Sequence, residues 1–202
     1  MNIKWILLVL LVPLVAFLGI NRWEKYHKRL PVYCIIDING GLWNTPLLNQ
    51  DGRTVYLPGF RGKVIVAHFF FSRCPASCPI MMRHMQVLQS AFGKDSRLEL
   101  LSLTVDPEYD TPPVLAAYAR KYDVDTAGWQ LLTGDKRQLY RIARTDLHVT
   151  AADGDGGPED FIHSDQMVLL DGKGRIRGYY TGTVDREVQQ LINDIKILQH
   201  ER

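Results

Sequence analysis

The apolar run Val64-Ile65-Val66-Ala67-His68-Phe69-Phe70-Phe71 empties into Ser72-Arg73-Cys74-Pro75-Ala76-Ser77-Cys78-Pro79, and a helical pattern follows at once. A continuous β-branched and aromatic run of this length reads as a central strand buried on both faces. Met81, Met85, Leu88 and Phe92 then recur at i, i+4, i+7 and i+11, one face of a helix. Pro79 suits the first helical position, which predicts Cys78 at the cap. Pro75 biases Cys74 toward an extended backbone, outside that helix. Two thiols are thereby placed at the positive end of a helix, where the thiolate is favoured. Soft thiolates at the end of a central strand suit either redox chemistry or a soft metal.

The rest of the chain alternates in the same manner. Thr54 to Leu57 is a short strand, and Leu98 to Val105 a second core strand ending at Asp106-Pro107. Thr111 caps a helix with Pro112 at its first position, and its apolar face is Leu115, Tyr118 and Tyr122. Trp129 to Leu132 is a third strand, followed by a short helix capped by Asp135 and carrying Leu139 and Ile142. Met167 to Leu170 and Arg175 to Tyr180 form a hairpin about Asp171-Gly172-Lys173-Gly174. A last helix starts at Thr183 or Asp185 and buries Val188, Leu191, Ile192, Ile195 and Leu198. The order predicts an α/β sandwich on a mixed sheet, with the thiol pair in the thioredoxin-like position. Asp153-Gly154-Asp155-Gly156-Gly157-Pro158 reads as a surface loop, because it lacks the carboxylate spacing of a calcium loop.

Trp5 to Ile20 is apolar throughout and long enough to span a hydrocarbon core of about 30 Å. No small-residue cleavage site follows it, so residues 1–23 are read as an uncleaved, single-pass transmembrane anchor. Residues 24–50 form a tether and residues 51–202 the folded domain. Arg22, Lys25, Lys28 and Arg29 after the span outnumber the charges before it, which by the positive-inside count leaves the domain in the cytoplasm. The thiol chemistry argues for the opposite, periplasmic side of the cytoplasmic (inner) membrane, where a thiol pair can cycle through oxidation. A formal net charge of +2 with no basic stripe gives no sign of nucleic-acid binding. The chain has three cysteines, too few for a disulfide scaffold. Cys34, the odd one, is read as a partly buried structural residue.

The cysteine spacing is C-x-x-x-C. Helical residues at i and i+4 hold their Cβ atoms about 5–6 Å apart, whereas a relaxed disulfide needs about 3.5–4.5 Å. The bend at Pro75 can close that gap, so a disulfide and a bridging soft ion both stay open, the wider spacing favouring the ion. A metal needs a third donor, and six histidines are available. His27 and His200 are read as solvated, His68 as a hydrogen-bonded core residue, and His84 as facing away from the helix start. His148 precedes the surface loop. His163 lies in Phe161-Ile162-His163-Ser164-Asp165, which leads into a strand that borders the cysteine loop in a thioredoxin-like sheet; on spacing it is one candidate for the third ligand, and the spacing alone does not select it. Met81, Met82 and Met85 are read as packing residues. Asp106 and Asp110 are read as an Asx turn and a helix-cap aid.

Phe70-Phe71-Ser72-Arg73-Cys74-Pro75-Ala76-Ser77-Cys78-Pro79, Val105-Asp106-Pro107-Glu108-Tyr109-Asp110-Thr111-Pro112, His163-Ser164 and Gly174-Arg175-Ile176-Arg177-Gly178-Tyr179-Tyr180 together resemble the Sco/SenC copper-chaperone family. The resemblance runs from about Val55 to Ile197. It implies a membrane-anchored thioredoxin-like domain that binds copper and loads the CuA site on the copper-accepting subunit of cytochrome c oxidase. It also implies that Cys74, Cys78 and His163 bind the Cu(I). The alternative on the same residues is a thiol–disulfide oxidoreductase that uses Cys74 and Cys78 to reduce the acceptor's cysteines. Arg73 and Arg83 are candidates to offset the negative charge of a two-thiolate site.

Overall fold

The computed structural model describes residues 11, 13, 15–16, 29–36, 44–93, 95–149 and 164–201. In chain order the strands are β1 (Cys34–Ile35), β2 (Leu47–Asn49), β3 (Thr54–Val55), β4 (Val64–Phe70), β5 (Leu98–Thr104), β6 (Trp129–Thr133), β7 (Gln166–Leu170) and β8 (Arg175–Thr181). The helices are α1 (Ser77–Phe92), α2 (Pro112–Lys121), α3 (Lys136–Arg141), which runs on into a π-helical turn at Ile142–Asp146, and α4 (Asp185–His200). One eight-stranded sheet takes the order β1-β8-β7-β4-β5-β6-β2-β3. Strands β4, β5 and β6 pair in parallel, and the other pairings in the sheet are antiparallel. The mixed sheet and the βα order agree with the sequence. β1 and β2 arise from the stretch read as tether: β1 is one edge of the sheet, and β2 lies between β6 and the opposite edge strand β3.

Every residue of β4 is buried, which is why its sequence has no polar alternation. Val64, Val66 and Phe70 face one core with Met81, Met82, Met85 and Leu88 of α1 and with the apolar stripe of α4. Ile65, Ala67 and Phe69 face a second core with Leu139, Tyr140 and Ile142. The three methionines of α1 are fully buried and belong to packing. Asp135 caps α3 as its sequence indicated, accepting from the Gln138 N–H at 3.0 Å. Thr111 stands at the cap of α2 without a side-chain bond. The anchor of residues 1–23 falls almost wholly outside the described residues. Among those described, no helix is long and apolar enough to cross a membrane.

His68 is completely buried, with Nε2 2.6 Å from the Ser102 hydroxyl, which also accepts from the Trp129 indole at 2.9 Å. Burial drives its pKa down to about 4, against a smaller upward pull from the Phe69 backbone. The unfolded chain takes up this proton near pH 6.5, and the folded chain declines it until about pH 4. Stability is therefore complete above about pH 6.5 and is lost as the pH falls toward 4, by about 3 kcal/mol in all. His68→Gln should flatten this acid limb in urea titrations. Equal pH dependence of the urea midpoint in both proteins would assign the limb to another group.

Candidate metal centre

The parallel pair β4–β5 puts Phe70 opposite Thr104, so the loops leaving both strands begin side by side. Cys74 lies in the first loop, its N–H bonded to the Phe71 carbonyl at 3.1 Å. The helix starts earlier than the prolines indicated. Ala76 is the cap, Ser77 the first helical residue and Cys78 the second. Pro79 is then third, still among the positions whose N–H has no intrahelical partner. Ala76 makes no side-chain cap bond. The sulfur placed against the open N–H groups is that of Cys74, within reach of the Cys78 and Ala76 amides.

The two thiols are free and close enough to perturb one another, yet their surroundings differ. Burial pushes Cys74 up, but bonds from the Cys78 and Ala76 amides, the Cys78 thiol and the Ser77 hydroxyl outweigh it, and its pKa is lowered. The Ser77 hydroxyl lies 3.9 Å from the Cys74 sulfur. Cys78 is 4% exposed, and burial, with the Cys74 sulfur beside it, pushes its thiol up to about 12. One half-exposed thiol, lowered below the ordinary thiol range, therefore sits beside one buried thiol that ionises only when something replaces its proton.

Cys78 opens onto a cleft of about 390 Å³ lined also by Phe69, Phe70, Phe71, Ser77, Val105, Val149, Ser164, Asp165 and Gln166. The far wall is fixed by Gly182, whose N–H donates to the Asp165 carbonyl at 2.6 Å, and by the Thr183 hydroxyl, which donates to the Asp165 carboxylate at 2.9 Å. His163 lies outside the described residues, and its chain neighbour Ser164 lines the same cleft as Cys78. The buried Cys78 at the start of α1 faces the open cleft and Cys74 lies in the loop before it, and two soft sulfurs so placed fit a thiophilic cation.

Asp106 and Asp110 hold the cysteine loop and form neither an Asx turn nor a cap. The buried Asp110 carboxylate accepts from the Ser72 N–H at 3.1 Å and from the Ser72 and Thr104 hydroxyls. Asp106 accepts from the Arg73 guanidinium at 2.6 Å, and that guanidinium lies over the Tyr109 ring at 4.0 Å. Arg73 is thus committed to the neighbouring loop, and Arg83 is exposed on α1. Ser72, Thr104 and Tyr109 were missed as site-building residues; the signal was a polar residue at or just beyond the end of each of two strands that pair in parallel. Of the other histidines, His84 is bonded on both nitrogens, to the Gly182 carbonyl at 2.7 Å and the Asp185 carboxylate at 2.9 Å, so it ties α1 to the start of α4.

Residues 45–199 match the family model described as SCO1/SenC. The chain belongs to that family. Among SCO1/SenC relatives, the SCO1 protein homolog of Bacillus subtilis is 29% identical over 150 residues, which cover 73% of this chain and 77% of that protein. Among solved structures, BsSco, a Sco family member in which a disulfide switch was identified, matches with a TM-score of 0.71 and 24% identity, over 87% of this chain and 100% of that one. ScoI of Bradyrhizobium japonicum with copper bound matches with a TM-score of 0.63 and 24% identity, over 82% and 99%. These structural likenesses establish the thioredoxin-like fold.

Proposed function

We propose that this SCO1/SenC protein is a copper metallochaperone that holds Cu(I) between Cys74, Cys78 and His163 and passes it to the CuA site of cytochrome c oxidase. The observation that carries the reading is the cleft: the buried sulfur of Cys78 and Ser164, the residue after His163, line one opening at the end of β4. Ser164 follows His163 directly in the chain, which supports His163 as the third donor. Two thiolates and one imidazole make a three-donor set suited to Cu(I). Support comes from ScoI of Bradyrhizobium japonicum, solved with copper bound, and from BsSco, a member of a family of cytochrome c oxidase assembly proteins. Copper is cargo here, and the protein carries out no turnover of its own.

The cation replaces the Cys78 proton, so loading releases protons and weakens in acid. Residues 1–23 anchor the chain in the cytoplasmic membrane, with the domain on the periplasmic side. That side keeps a thiol pair within reach of oxidation and brings it to the CuA subunit.

The difference between the thiols favours a second reading. A half-exposed thiol with a lowered pKa beside a buried one with a raised pKa is the arrangement of an attacking and a resolving cysteine, which a thiol–disulfide oxidoreductase needs. His163→Ala separates the two readings. The chaperone reading expects two titratable thiols, weakened copper retention and no rescue of oxidase assembly at limiting copper in cells lacking the wild-type protein. Rescue by His163→Ala together with failure by Cys74→Ser would establish the oxidoreductase instead, because thiol exchange needs no imidazole ligand.

A further inference from the structure

We propose that Cys34 and His148 form a second soft-metal site, which takes one Cu(I) between thiolate and imidazole. The Cys34 sulfur lies 3.7 Å from His148 Nε2, although the two are 114 residues apart in sequence. Both are held from below. Cys34 pairs with Ile176 on the edge of the sheet, and its side chain packs on the core that contains Ile36 and Ile176. His148 stands between two anchored neighbours: the Leu147 N–H donates to the Ile142 carbonyl at 2.8 Å and the Val149 N–H to the Ala143 carbonyl at 2.9 Å. The imidazole is exposed and the thiol half-buried, so an ion can enter from solvent.

Metal–thiolate and metal–imidazole bonds of about 2.3 and 2.0–2.1 Å place sulfur and nitrogen about 3.5 Å apart at a tetrahedral angle and about 4.3 Å apart in line. The observed 3.7 Å corresponds to a bent arrangement, and the exposed imidazole has to swing outward by about 0.6 Å to reach the in-line spacing that two-coordinate Cu(I) takes. Among the described residues no third His, Cys, Asp or Glu stands with the pair, which itself supplies one sulfur and one nitrogen. Cu(I) accepts two, and sulfur and imidazole are donors it selects. A thiolate, a neutral imidazole and one Cu(I) sum to zero charge, so a half-buried site needs no counter-ion. On binding, the S–H bond is replaced by S–Cu and the proton leaves to water, with no change of oxidation state.

The test is anaerobic titration of the full reduced chain with Cu(I) against a competing chelator. Wild type should retain two equivalents, and Cys34→Ser one. Cys74→Ser/Cys78→Ser should also retain one, and adding Cys34→Ser or His148→Asn to it should leave none. Asparagine is chosen because His148 has φ +51°, which Asn tolerates. No retention by the Cys74→Ser/Cys78→Ser chain, or retention that survives His148→Asn, would overturn the site. Failure of the chaperone reading looks different: Cys34→Ser would then retain nothing while Cys74→Ser/Cys78→Ser still held one ion.

Discussion

Oxidising Cys74 and Cys78 to a disulfide should cut Cu(I) affinity by at least a hundredfold in the Cys34→Ser chain, and a dithiol reductant should restore it. The loss follows from the donors, since neither sulfur of a disulfide is a thiolate and His163 alone is a weak hold for a soft ion. The oxidation removes two electrons and two protons, which a diamide-type oxidant accepts. Geometry allows the bond because Cys74 lies outside the helix that holds Cys78, so the rigid i, i+4 spacing does not apply. The reading is checked by thiol counts and copper retention on one sample before and after reduction. Full retention by a chain with no titratable thiol would place the copper elsewhere.

The largest stability effect is expected at Arg177. Its side chain is 3% exposed and donates to Asp171 at 2.9 Å, to Glu201 at 2.7 Å, and to the Leu30 and Pro31 carbonyls at 2.6 and 2.9 Å. The Leu30 N–H donates to the same Glu201 carboxylate at 2.8 Å. This cation fastens the incoming chain to the hairpin and to the end of α4. Arg177→Met removes the buried cation from two carboxylates, which keep only their Arg175 and backbone N–H partners, and takes one donor from each of two carbonyls, at a cost of about 3–5 kcal/mol. That is a fifth or more of the stability of an ordinary domain, about 5–15 kcal/mol. Arg175 pairs with the same Asp171 from a more exposed position, and Arg175→Met should cost less than about 1 kcal/mol. Urea midpoints that fall equally in both variants would contradict the buried clamp.

The sheet and its helices were legible where apolar spacing is local: the run of β4, the Met81–Met85–Leu88 face of α1 and the stripe of α4. The start of α1 was misread because Pro79 pointed to a later cap, whereas Ala76 ends the loop with no capping side chain. Cys74 and Cys78 were legible as a pair because they are close in sequence and flanked by prolines. The residues that steady them were not. Asp110 reaches Ser72 across 38 residues and Asp106 reaches Arg73 across 33, contacts that exist only once β4 and β5 pair in parallel. Cys34 offered even less, since β1 is two residues long and its partner His148 comes from the far side of the chain.

The ligand set of the chaperone site is tested most directly by copper K-edge X-ray absorption on the full Cys34→Ser chain loaded anaerobically with one Cu(I). The expected spectrum is that of a three-coordinate ion with two sulfur scatterers and one imidazole nitrogen, the nitrogen shell disappearing in His163→Ala. A spectrum without two sulfurs, or a nitrogen shell unchanged by His163→Ala, would contradict the assignment of Cys74, Cys78 and His163.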